Sequence, residues 1–121
     1  MKAVVTLACL VTLAALGAQA QEDAAQASGA VLRVLEKVSG EIFDLHMRNG
    51  SSQETGRLII TLRDCRYPLD NPAGDAFAFV TVRERDQRDP VFQGWMIASS
   101  PALNAMEHPR YDIWVLRCNT E

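Results

Sequence analysis

The chain has 121 residues, with 12 Lys and Arg against 15 Asp and Glu, which gives a net charge of −3. This balance excludes the class of proteins that bind nucleic acid through a strongly basic surface. The length predicts a single domain that can bury a core but is only marginally stable.

The first 20 residues are typical of a secretory signal peptide. Lys2 gives a positive start, an apolar run extends from Ala3 to Leu16, and Ala18-Gln19-Ala20 is a small-x-small cleavage site. The run is shorter than the roughly 20 apolar residues that span a bilayer. A lipoprotein cut before Cys9 is an alternative, but it leaves too few apolar residues ahead of the cut. We therefore expect export, cleavage after Ala20, and no transmembrane span in the mature chain.

The segment after the cleavage site leads into two predicted strands. Residues 21–29 have no apolar period, which predicts a flexible N-terminal tether, with a short helix as the alternative. Ala30 to Val38 fits either a helix face or a strand. Because Ser39-Gly40 separates it from a second run, Glu41 to Met47, we favour a hairpin of two strands. Residues 49–56 form a polar loop.

Four further strands are predicted in the rest of the chain. They are Arg57 to Arg66, Ala76 to Arg85, Val91 to Ala98 and Tyr111 to Cys118. Serine followed by Pro101 is a helix-start signal, so a short helix is expected from Pro101 to Glu107. Trp114 is expected in the core, and so are the four phenylalanines, Phe43, Phe77, Phe79 and Phe92.

The predicted fold is mainly β, and it contains about six strands and one short helix between the last two. An antiparallel sandwich or a small, partly open barrel fits this order of elements. The single β domain would extend over residues 30–119.

Two cysteines, Cys65 and Cys118, remain after signal cleavage. An even count in an exported chain predicts a disulfide, with two free buried thiols as the alternative. Their spacing excludes a CxxC redox motif and a zinc site.

Ser99 and Ser100 with His108 and Asp112 have the residue types of a serine hydrolase. No nucleophile motif accompanies them, so helix capping and turn hydrogen bonds explain them better. The turn at Asp70, Asn71, Gly74 and Asp75 lacks the spacing of a calcium loop. We therefore predict no catalytic residue, no metal and no cofactor.

The most distinctive surface is expected around the segment between the last two strands, because functional residues concentrate on loops held by rigid scaffolds. Trp95, beside Gly94, fits a core position or a binding face equally well, and the glycine predicts a bulge or a close backbone approach. The candidate interaction surface consists of Trp95, Ser99, Ser100, His108, Tyr111 and Asp112.

Three stretches carry a family resemblance: CRYPLDNPAGDAFAF (Cys65 to Phe79), GWMIASSPAL (Gly94 to Leu103) and HPRYDIWVLRC (His108 to Cys118). The chain resembles the small exported alphaproteobacterial proteins grouped as domain of unknown function 2155. That resemblance implies an exported, single-domain, mostly β protein with no assigned activity, and it supplies no catalytic or ligand residues.

These features together predict a periplasmic, non-enzymatic binding or accessory module, in cell-envelope assembly or in a membrane-associated complex. Its partner would be another envelope protein rather than nucleic acid. Two alternatives remain at this point: a small hydrolase that uses Ser99 or Ser100 with His108, and a carrier of a small apolar ligand.

Overall fold

A computed structural model describes residues 24–120, and in this part of the chain it contains eight β-strands and no helix. The predicted signal peptide and its cleavage site lie outside the described residues. The strands are β1 (Ala24–Gln26), β2 (Gly29–Glu36), β3 (Ile42–Arg48), β4 (Ser52–Thr55), β5 (Leu58–Pro68), β6 (Phe77–Glu84), β7 (Pro90–Ile97) and β8 (Tyr111–Asn119).

The strands form two antiparallel sheets. The five-stranded sheet has the order β1-β5-β6-β7, and β4 pairs with the beginning of the long strand β5. The three-stranded sheet has the order β3-β2-β8, so the first and last long strands of the chain are neighbours. The prediction of a mainly β, antiparallel fold is confirmed.

One hydrophobic core lies between the sheets. The long strands contribute alternate residues to it, as the two-residue period of a pleated strand predicts. The three-stranded sheet supplies Leu32, Val34 and Val115, and the five-stranded sheet supplies Leu58, Ile60, Leu62, Val80 and Val82. Two layers that bury their inner faces against each other form a β-sandwich.

The predicted disulfide is confirmed and joins the two layers. Cys65 of β5 bonds Cys118 of β8, with the two Cα atoms 5.7 Å apart. This separation is usual for a disulfide. Because β5 and β8 belong to different sheets, the bond holds one sheet against the other.

The prediction of a helix from Pro101 to Glu107 is wrong. Consecutive turns occupy residues 101–104, where the amide of Leu103 donates to the carbonyl of Ser100 at 3.1 Å. Two side chains fix this segment to the sandwich instead. Asn104 Nδ2 donates to the Trp95 carbonyl at 3.0 Å, and Met106 is buried in the core.

Trp114 lies on the outer face of the three-stranded sheet, half-buried and opposite Arg33, which corrects its predicted core position. Ile113 and Val115 face the core instead. The register of β8 against β2 shifts at Val31/Leu32, so Val31 pairs with Arg117 but Leu32 pairs with Val115. The bulge puts Cys118 on the core side with Ile113 and Val115, so Trp114 does not share a face with Cys118 as strict alternation would require.

Two short strands lie where the sequence predicts none. β1 pairs with the end of β5 inside the segment expected to be a flexible tether, and β4 lies inside the expected polar loop. Neither is an apolar run, so the pairing edge of β5 determines both. Within residues 24–120, no helix is long and apolar enough to cross a membrane.

Candidate functional site

The His108 side chain is engaged in hydrogen bonds that hold the backbone at the start of β8. Its side chain is only 8% exposed, and Nε2 lies 2.8 Å from the Glu84 carboxylate. Nδ1 accepts the backbone amides of Arg110 at 3.0 Å and Tyr111 at 3.2 Å. Because Nδ1 accepts both amides, the proton of the neutral ring lies on Nε2 and is donated to Glu84. Both ring nitrogens therefore fix the entry into β8.

Ser99 is held by a carboxylate rather than by the imidazole. Its hydroxyl donates to Asp75 Oδ2 at 2.7 Å, and its amide donates to Asp75 Oδ1 at 3.0 Å. Partial burial raises the pKa of Asp75, but the hydrogen bonds from Ser99 and Ala76 outweigh it and hold the pKa below its ordinary value. Among the described residues, no hydrogen bond joins Ser99 or Ser100 to His108. The nucleophile and base of the hydrolase alternative therefore do not meet.

The six residues of the predicted interaction surface do not form one surface. Tyr111 is 3% exposed and belongs to the core. Asp112 pairs with Lys37 at 3.1 Å and lies on the outer side of the three-stranded sheet. Trp95 lies on the outer side of the other sheet, opposite Phe79. Only Trp95 and Ser99 of the six are well exposed.

Trp95 is the centre of an apolar patch, which we call the Trp95 face: Phe77, Phe79, Trp95 and Ile97. These residues are directly paired across β6 and β7, Phe77 with Ile97 and Phe79 with Trp95. The Trp95 ring meets Phe79 edge to face, with the ring centroids 5.3 Å apart, and it remains 39% exposed. Aromatic pairs favour this geometry, so Phe79 orients the indole before any partner binds.

A shallow hollow of about 370 Å³ lies on the Trp95 face, lined by Ala24, Arg66, Phe77, Trp95 and Ile97. Arg66 is bound to Asp64 at 2.8 Å, so its charge is paired at the rim of the hollow. The site can therefore receive an apolar side chain. It contains no group placed for acid–base or nucleophilic chemistry.

Gly94 allows the segment between β7 and β8 to approach the free edge of β7 beside Trp95. The residue faces the core side of β7, and a Cβ there would lie 2.5 Å from Asn104 Nδ2. The glycine therefore permits the close approach that its presence in a strand predicts. Asn104 donates a hydrogen bond to the Trp95 carbonyl and so covers part of the free edge of β7.

Phe77 and Phe79 are functional candidates that the sequence places elsewhere. Their alternation with Ala78, Val80 and Val82 is correctly predicted, but the smaller side chains face the core. The larger aromatics face outward, against the expectation that they fill the interior. Core side chains of both sheets pack between the layers, and nothing observed in residues 24–120 supports the apolar-carrier alternative. Within residues 24–120, no three His, Cys, Asp or Glu residues cluster as metal ligands.

Comparisons with known proteins identify the family. A model described as an uncharacterized protein conserved in bacteria (DUF2155) matches residues 30–118. An uncharacterized protein of Rickettsia prowazekii (strain Madrid E) is 32% identical over 87 residues, which cover 69% of this chain and 56% of that protein. The chain thus spans little more than half the length of this curated relative. No solved structure matches the chain. The chain belongs to the uncharacterized bacterial family DUF2155, as its three sequence stretches predict.

Proposed function

We propose that this protein is a non-enzymatic binding module of the periplasm, which docks another envelope protein through the Trp95 face. The observation that carries the proposal is a tryptophan held by Phe79 yet 39% exposed, inside a contiguous apolar patch. Single exposed apolar residues are normal on a protein surface, but contiguous apolar patches mark interaction sites. Tryptophan is also enriched among the residues that dominate binding energy.

The geometry favours contact with the sheet face over addition of a strand to the edge. β7 is the edge strand of its sheet, and an unpaired edge is a template for another strand. Asn104 already occupies the Trp95 carbonyl, and Pro90 begins the strand. Because both features obstruct the edge, the partner is expected to place an apolar side chain in the hollow beside Trp95.

The signal-peptide pattern and the disulfide support an envelope location for this partner. The N-terminal 20 residues have the signal-peptide pattern, and Cys65 bonds Cys118, as in proteins of oxidising compartments. N-terminal sequencing of protein from a periplasmic fraction should begin at Gln21. An uncleaved Met1 terminus in the cytoplasmic fraction would contradict the proposed location.

The docking test uses a photoreactive amino acid at Gln93, which shares the outer side of β7 with Trp95. Irradiated cells should give a discrete adduct that disappears with Trp95→Ala. The matched control is Leu103→Ala, which truncates a side chain that is 74% exposed in the turn segment. A second crosslinker at Ile42, on the other sheet, should not give the same adduct.

The captured protein is then purified and its affinity is measured directly. Trp95→Ala should weaken binding about thirtyfold, as expected for a central tryptophan worth about 2 kcal/mol, while Leu103→Ala should leave it unchanged. Equal binding by wild type and Trp95→Ala would exclude the Trp95 face as the docking surface.

A further inference from the structure

The outer side of the three-stranded sheet has an open cleft of about 890 Å³. It lies at the end of the sheet where β2 begins, away from the Trp95 face on the other sheet. The cleft has a size usual for small-molecule sites, although it is polar where most such sites are apolar. Its chemistry is therefore that of a charged or hydroxylated ligand.

The central strand makes the cleft a trough. Gly29 of β2 lies between Arg48 of β3 and Asn119 of β8, and Val31 lies between His46 and Arg117. A Cβ at Gly29 would overlap the carbonyl oxygen of Met47. The middle of the sheet therefore carries no side chain at this point, while long polar side chains stand on the strands at both sides.

Among residues 24–120, the ionisable side chains that line the trough are all basic: His46, Arg48 and Arg117. Between residues 24 and 120, neither Arg48 nor Arg117 forms an ion pair. Asp44 lies farther along the same face, where Arg33 holds both its oxygens at 2.8 and 3.1 Å. The hydrogen bond from Arg33, followed by smaller effects of Arg117 and His46, lowers the pKa of Asp44. In a chain of net charge −3, this is a local concentration of positive charge.

Uncharged polar groups complete the lining. Asn49 lies in the wall, and its Nδ2 donates to the Ala27 carbonyl at 2.8 Å. Its Oδ1 is buried and has no hydrogen-bond partner among the described residues. Asn49 Nδ2 also lies 3.4 Å from Asp64 Oδ1 of the other sheet, so this side chain supports the wall of the cleft from within. Ser28, Asn119 and Thr120 add hydroxyl and amide groups.

We propose that this trough binds a sugar that carries a phosphate or carboxylate group. Arg48 and Arg117 would hold the anionic group, because a guanidinium matches the two oxygens of a carboxylate or phosphate. Asn119 and Thr120 would accept hydrogen bonds from the sugar hydroxyls and donate hydrogen bonds to them. The trough and the Trp95 face are on different sheets, so this proposal and the proposed function can fail independently.

The test is an NMR titration of the full mature protein with glucose 6-phosphate. Amide signals of Gly29 and Asn119 should shift, with saturation below about 10 mM ligand. Arg48→Gln with Arg117→Gln should weaken binding about tenfold or more. The matched control is Arg63→Gln with Arg88→Gln, which removes the same charge from two exposed arginines outside the trough and should leave affinity unchanged.

Three other ligands separate the contributions of the sugar, the phosphate and the carboxylate to binding. Glucose without phosphate and inorganic phosphate without sugar should each bind more weakly, and glucuronate tests the carboxylate form. The proposal is overturned if glucose 6-phosphate and glucuronate both fail to bind, or if both double variants lose affinity equally. Capture by phosphatidylglycerol vesicles without any binding of the free sugars would also overturn it, because the ligand would then be a membrane surface.

Discussion

Glu36 fixes the turn between β2 and β3 through its carboxylate. The oxygens accept the amide of Val38 at 3.0 Å and the amide of Ser39 at 2.7 Å, and Arg110 Nε lies at 3.3 Å. Hydrogen bonds from the side chain and backbone of Ser39, followed by those from Val38 and Arg110, lower the pKa of Glu36 to about 2. One side chain thus joins the hairpin turn to the segment that enters β8.

Glu36→Gln should therefore reduce stability in a pH-dependent way. The folded-state pKa of about 2 lies below the ordinary value of 4.5, so the ionised carboxylate stabilises the fold at neutral pH. That stabilisation is lost as pH falls from about 4.5 through about 2. Melting temperatures of the variant and the wild type should differ at pH 7 and converge near pH 2.

The control for this prediction is Glu41→Gln, a neighbouring exposed turn residue whose carboxylate makes no hydrogen bond among the described residues. It should melt like the wild type at every pH. A constant difference between Glu36→Gln and the wild type down to pH 2 would show that the ionised carboxylate is not the stabilising group.

Individual side chains are also where sequence prediction is least secure. Alternation identifies two faces for β6 and β8, but it does not say which face is inside. On β6 the small residues Ala78 and Val80 pack inward because the facing sheet already supplies Leu32 and Met47. On β8 a bulge near Leu116 puts Cys118 on the core side with Val115, which leaves Trp114 on the outer face. The first outcome depends on the facing sheet and the second on pairing with β2, and local sequence contains neither.

The turn segment between β7 and β8 closes one side of the sandwich. Met106 reaches the core, and Asn104 bonds the Trp95 carbonyl. At its end, His108 bonds Glu84 of β6, and Lys37 donates to the His108 carbonyl at 2.8 Å. The segment thus contacts both sheets without regular structure of its own.

Met106→Ala should destabilise the fold by about 2–4 kcal/mol, because it removes a core side chain and leaves a cavity. Leu103→Ala, three residues earlier and 74% exposed, should change stability by no more than about 0.5 kcal/mol. Urea denaturation measures both. Equal effects would show that Met106 does not hold the segment to the core.

Most long strands can be predicted from the sequence. The absence of a helix in the segment between β7 and β8 cannot. Ser100-Pro101 is a genuine start signal, yet a helix this short is marginal without tertiary support. Here the tertiary contacts of Asn104 and Met106 favour turns. β4 was missed for the opposite reason, since Ser52–Thr55 has no apolar pattern and depends on the edge of β5.

At the scale of the whole molecule, the disulfide is the covalent link between the sheets. Cys65 and Cys118 are 53 positions apart, and a closed loop of that length is expected to contribute about 4 kcal/mol. Cys65→Ala with Cys118→Ala should lower the melting temperature accordingly. Reductant should lower that of the wild type and leave the double variant unchanged. A wild type insensitive to reductant, with its thiols shown to be free, would contradict this role.

The two proposed sites differ in how much of them the sequence could indicate. The sequence indicates Trp95 as a candidate, but it predicts that its neighbours Phe77 and Phe79 lie in the interior. The trough was not recognisable, because Arg48 and Arg117 come together only when β3 and β8 flank β2. Pairing between strands distant in sequence is the information that local patterns lack.

The position of β8 beside β2 has a consequence during synthesis. Leu32 pairs with Val115, about 80 residues later in the chain. At ribosomal rates, β8 is synthesised roughly ten seconds after β2. Until then the core that covers Leu32 and Val34 is incomplete. Co-translational folding can complete the β2–β3 hairpin, but not the sandwich. We therefore expect the unfinished chain to be most prone to aggregation before β8 has been made.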